Sequence, residues 1–204
     1  MKKIVYAVLL CLVFVLAQSS GAFAWWWSSE EDDTPYVTSA DTAERAAEIL
    51  IRDVWGSKSR RAGETESITR VKAIRSIPQA DGTLALDMRI HIEGSTEYGV
   101  WDNVLRNAKE LFPKFLKDKN LEGINDFRLY GSLPMRDKGS GYVSEDNVSK
   151  LFLTRDSIGK IDWEKTDTTD LHFLLIKMDD GKNCTYWLHG GILSKVSHLK
   201  YFAK

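Results

Sequence analysis

From residue 100 to residue 116 the apolar positions recur at steps of one, three and four: Val100, Trp101, Val104, Leu105, Ala108, Leu111, Phe112, Phe115 and Leu116. On an α-helix these fall on one face, while Asp102, Arg106, Asn107, Lys109, Glu110 and Lys114 fall on the other. So broad a stripe has to be covered, and this stretch is expected to be the helix on which a sheet packs. Pro113 lies inside it and has no N–H for the carbonyl four residues back, which predicts a kink near Lys109 or a restart at Pro113.

A second helical pattern precedes it. Ala43, Ala46, Ala47, Leu50, Ile51, Val54 and Trp55 keep the same spacing, Asp41 and Glu44 have the form of a capping box, and Gly56 supplies a stop. Residues 57–65 read as a polar loop carrying Lys58, Arg60 and Arg61, at most a weak anion-binding patch.

Period-two alternation marks the strands. Residues 68–77 and 83–93 form a hairpin about Asp81-Gly82. In its second strand Leu84, Leu86, Met88, Ile90 and Ile92 face the core, and Ala85, Asp87, Arg89, His91 and Glu93 face water. His91 is therefore expected to be a surface residue. Residues 124–133 are a third strand, with Phe127, Leu129 and Leu133 set against Arg128, Tyr130 and Ser132. Residues 134–147 read as a long polar connection and 148–155 as a fourth strand, followed by a helical turn over 156–161 capped by Asp156. Leu171, Leu174, Leu175 and Met178 fit a helix capped at Asp167, but Asp179-Asp180-Gly181 and the strand-like run 184–188 favour a hairpin.

The order is α-β-β-α-β-β followed by a β-hairpin. It implies an α+β fold with two main helices packed on one face of a mostly antiparallel sheet. Residues 41–204 are read as a single domain of this kind.

The N-terminus changes the picture of where the chain works. Lys2 and Lys3 precede an uncharged run over residues 4–17, and Ala22-Phe23-Ala24 offers small residues to a signal peptidase. Residues 1–24 are expected to be a signal peptide, and the mature chain to be exported to a periplasmic or extracellular site. The alternative is an uncleaved membrane anchor, since residues 4–27 at ~1.5 Å per residue would cross a hydrocarbon core of ~30 Å. Cys11 lacks the small preceding residues of a lipoprotein signal. Residues 25–40 follow as a flexible acidic linker that begins with Trp25, Trp26 and Trp27 and continues through Glu30, Glu31, Asp32 and Asp33. Three adjacent indoles without a packing pattern are candidate partner-docking residues, for a groove on a protein or as a peripheral membrane contact.

Charge narrows the partners. The chain has 28 basic and 29 acidic residues, for a net charge of −1. Cleavage would remove Lys2 and Lys3 and no acid, which is no footprint for nucleic acid. Only Cys184 would then remain, which excludes an internal disulfide and reads as a buried, inert thiol.

Catalytic chemistry leaves little trace. His91, His172, His189 and His198 share no ligand spacing, no dinucleotide or phosphate fingerprint is present, and Ser140 sits in a loop rather than at a nucleophile elbow. No catalytic residue, cofactor or metal site is therefore expected. Trp55, Trp101, Trp163 and Trp187 sit at edges of expected elements, either as core residues whose N–H finds an acceptor or as the lining of a ligand groove. The function expected is that of an exported, non-catalytic module binding a protein or envelope partner. The alternatives are a small-ligand carrier with a helix–sheet groove, or a hydrolase with dispersed carboxylates.

Overall fold

The computed structural model describes residues 42–60, 67–136 and 143–196. The chain divides into two units, Met1–Thr34 and Pro35–Lys204, and all the described residues belong to the second. Its fold is α+β: helices α1 (Ala43–Trp55) and α2 (Glu97–Lys117) pack with three shorter ones against a five-stranded sheet, and a two-stranded ribbon stands apart. The ribbon pairs β1 (Lys58–Arg60) with β2 (Ser67–Thr69). The sheet has the order β3 (Val71–Pro78), β4 (Leu84–His91), β5 (Ile124–Arg136), β6 (Val143–Thr154), β7 (Cys184–Leu188). Every neighbouring pair is antiparallel except β4 and β5, which are parallel because α2 carries the chain back over the sheet between them.

Helix α2 buries Val100, Trp101, Val104, Leu105, Ala108, Leu111, Phe112 and Phe115, as its stripe predicts, and Leu116 is half-buried at the margin. Each fully buried Leu or Phe contributes about 1.5–3 kcal/mol relative to exposure. The helix continues unbroken through Pro113, so the restart is excluded. It shares one buried cluster with Leu86, Met88 and Ile90 of β4, Phe127 and Leu129 of β5, Leu151 and Leu153 of β6, and Tyr186 and Leu188 of β7. Phe115 stacks on Phe127 at 5.1 Å between centroids, and Phe112 on Trp163 at 5.8 Å.

Several expectations change at element ends. Thr42, not Asp41, caps α1: its hydroxyl accepts from the Arg45 N–H at 3.2 Å, and Asp41 lies outside the described residues. Glu44 instead accepts from the Ser76 N–H at 3.1 Å, which ties α1 to β3; hydrogen bonding from the Ser76 side chain, more than from the backbone, holds this carboxyl below its usual range. The strand expected over 68–77 is broken at Arg70, so its two halves join different sheets. Arg70 is only 2% exposed, and its guanidinium donates to the carbonyls of His91 and Lys58 and to Glu93. Lys58 and Arg60, expected in a loop, are in β1.

The polar connection expected over 134–147 is largely strand: β5 runs on through Pro134 to Arg136, and β6 begins at Val143. The register slips between Gly131 and Ser132. A Cβ at Gly131 would collide with the Ser149 hydroxyl and press on Ile92, so a larger residue there would have to displace those side chains. The turn after β6 is α3 (Arg155–Gly159), capped by Thr154 rather than Asp156. The first of the two elements expected to form a hairpin is a helix, α4 (Thr168–Met178), in which Asp167 accepts from the Asp170 N–H at 2.8 Å. Burial of Leu171, His172 and Leu175 on one helical face outweighs the turn signal that follows. Helix α5 (Gly190–Val196) closes the described chain.

No helix among the described residues is long and apolar enough to cross a membrane.

Candidate functional site

Alternation along the strands gives the sheet a second face, opposite the helices. Two rows cross it. In one, Ala73, Arg89, Tyr130, Lys150 and Trp187 stand opposite one another on successive strands; in the other, Arg75, Asp87, Arg128, Phe152 and Thr185 do. A sheet face carrying aromatic and cationic groups over unbroken backbone pairing is a rigid platform for recognition.

Within the first row, cations lie on rings. The Arg89 guanidinium sits 5.5 Å from the Tyr130 centroid, and Lys150 Nζ 5.0 Å from that of Trp187. Tyr130 and Phe152 meet edge to face, with centroids 5.0 Å apart and planes at 65°. Burial, and next the Asp87 charge, raise the Tyr130 hydroxyl above its ordinary range. Trp187 is 39% exposed, while Arg75 and Arg89 are also exposed. In the second row Arg128 donates to Gln79 at 2.9 Å and Asp126 at 3.3 Å, with Asp87 at 3.8 Å. Asp126 and Asp87 thus both lie against one guanidinium.

At the lower end of the face a cleft of about 240 Å³ opens between Asp126, Arg128, Phe152, Thr154 and Thr185 on one side and Gly181, Lys182 and Asn183 on the other. Its turn is fastened by Asp180, whose Oδ1 accepts from the N–H groups of Lys182, Asn183 and Cys184 at 2.9, 2.6 and 3.1 Å. The Cys184 and Lys182 contacts lead the causes that hold Asp180 well below the usual carboxylate range. This cleft differs from the groove expected between helix and sheet, where Phe112, Phe115, Phe127 and Leu129 pack together.

At the upper end Glu145 gathers three partners. Lys72 Nζ donates to it at 2.8 Å, the Ser132 hydroxyl donates at 2.6 Å, and His91 Nδ1 lies 2.6 Å away. Burial raises the Glu145 carboxyl, but these partners outweigh it and leave it below its usual range. His91 is on the expected side of β4 but less exposed than a surface residue there would be: its side chain is 12% exposed and its neighbour is a carboxylate. The Ser132 hydroxyl also lies 3.2 Å from the Ile90 carbonyl, so it joins Glu145 to the β4 backbone and the group fixes a strand end.

Trp55, Trp101 and Trp163 are structural. The indole N–H of Trp55 donates to Asn103 at 2.9 Å, that of Trp163 to the Ile158 carbonyl at 2.8 Å, and that of Trp101 to His172 Nδ1 at 3.1 Å. The Tyr186 hydroxyl approaches the same His172 nitrogen at 2.8 Å, making a polar knot within the core. Only Trp187 of these four reaches the open face. The signal was in the sequence: Cys184, Tyr186 and Leu188 alternate inward, which turns Trp187 outward.

Among the described residues no group of three His, Cys, Asp or Glu side chains is arranged to hold a metal ion. Trp25, Trp26 and Trp27 lie outside the described residues. Compared with known proteins, the chain matches no family, no curated protein and no solved structure.

Proposed function

We propose that this chain is an exported α+β binding module that acts without catalysis, docking a protein or envelope partner on the open face of its sheet. The observation that carries this reading is the pair of cation–aromatic contacts, Arg89 on Tyr130 and Lys150 on Trp187, set side by side across four strands on a face that no described helix covers. Aromatic and arginine side chains concentrate at recognition surfaces. Trp25, Trp26 and Trp27 supply an additional contact in this reading, to a partner groove or to a membrane interface.

The test compares association of three mature chains with envelope fractions by co-sedimentation: the unaltered chain, the Arg89→Glu/Lys150→Glu chain, and a chain lacking residues 25–33. The reading expects loss in the second and weakening in the third, with melting temperatures nearly unchanged. Equal sedimentation of all three would contradict it. A second reading, a small-ligand carrier, draws on the cleft beside Phe152 and Arg128, which could seat a planar carboxylate.

A further inference from the structure

Resting on the open face as a docking surface, we infer that its occupant is an acidic polypeptide in extended conformation, engaged by Arg75, Arg89 and Lys150. Charge is the first argument. The face carries Lys72, Arg75, Arg89, Arg128 and Lys150 against Asp87, Asp126 and Glu145, in a chain whose net charge is −1. The basic excess is therefore concentrated where the sheet is open, and complementary potential steers an acidic partner there.

The rings argue against other polyanions. Arg89 and Lys150 already occupy faces of Tyr130 and Trp187, and Tyr130 meets Phe152 edge to face. That leaves no parallel pair of free ring faces on which successive nucleic-acid bases would stack. An anionic bilayer is disfavoured because Trp187 alone among the aromatics stands out of the face, with Asp87, Asp126 and Glu145 nearby to be repelled.

Spacing agrees with a polypeptide. Arg89 and Lys150 lie two strands apart, ~9.6 Å at ~4.8 Å per strand. A polyproline II chain repeats a side every three residues at ~3.1 Å each, or ~9.3 Å. Carboxylates three residues apart on such a chain, which mutual repulsion keeps extended, reach both cations.

The experiment is titration of a fluorescently labelled oligoglutamate, followed by anisotropy, at low and at physiological salt. Binding should weaken with salt and fall at least tenfold in Arg89→Glu/Lys150→Glu and severalfold in the milder Arg89→Gln/Lys150→Gln, while Lys177→Glu on α4 leaves it unchanged. Circular dichroism melting confirms that each variant is folded. Oligoglutamate binding that ignores both double variants overturns the inference, as does its absence alongside binding to oligothymidylate or phosphatidylglycerol vesicles. If oligoglutamate fails while the double reversal still abolishes envelope association, the acidic-polypeptide assignment falls and the docking face stands; if neither responds, both fall.

Discussion

Lys150 Nζ lies 5.0 Å over the ring of Trp187, its direct partner across the β6–β7 register. Lys150 is half-buried and Trp187 is 39% exposed, so the contact faces solvent and contributes little to folding, about 0.5–1 kcal/mol. Lys150→Ala and Trp187→Ala should therefore each lower the unfolding free energy from a urea titration by about that amount while reducing partner association. A loss of several kcal/mol for either would place the pair in the core rather than on a binding surface.

The helix side should behave in the opposite way. Leu105 and Phe112 have no exposed surface. Truncation of either to alanine removes buried volume that the surrounding core cannot refill, at a cost of about 2–5 kcal/mol. A change below about 0.5 kcal/mol in denaturant titration would mean that the α2 stripe is not packed on the sheet.

These two surfaces differ in how far they were legible in the sequence. The α2 stripe and the inward face of β4 are set by local periodicity, which a helix or strand expresses whatever its neighbours. The open face is assembled by register: Tyr130 stands opposite Lys150, and Lys150 opposite Trp187, only once β5, β6 and β7 are paired. Glu145 was hidden because a proline and several polar residues disguise the extensions of β5 and β6, and its partners Lys72 and His91 come from other strands. Helix α4 was misread because its buried face is short, and the turn after it is built by one side chain, Asp180, that sequence spacing alone does not distinguish from a solvated acid.

Cys184 provides a chemical check on the core. Burial, reinforced by the charges of Asp179 and Asp180, pushes its thiol up to about 12, and it is 1% exposed. Because the thiolate is the reactive form, Cys184 should resist an aromatic disulfide reagent at pH 8 in the folded chain and react promptly in denaturant. Rapid stoichiometric reaction without denaturant would contradict the placement of β7 against α4.

Acid should loosen the fold from its carboxylate anchors. Asp180, Glu44 and Glu145 all lie below their ordinary values of 3.8 and 4.5 when folded. Groups depressed in this way contribute stability that is fully present above those unfolded values and is lost as pH falls through the folded ones. The melting temperature is expected to show no loss from these groups down to about pH 5 and to decline below about pH 4.5. Asp180→Asn, which keeps the shape but weakens the acceptor, should lower stability at neutral pH and flatten the acid decline. A decline of unchanged slope in that variant would remove Asp180 from the account.

The central claim is that the open sheet face receives the partner. Hydroxyl-radical footprinting, read by mass spectrometry with and without saturating envelope extract, tests it residue by residue. The account predicts protection of Trp187, Tyr130 and Phe152, with Tyr98, Ile176 and Leu193, exposed on α2, α4 and α5, labelled equally in both states. Protection of Tyr98, Ile176 and Leu193 with Trp187 and Tyr130 unchanged would place the partner on the helices and contradict the claim.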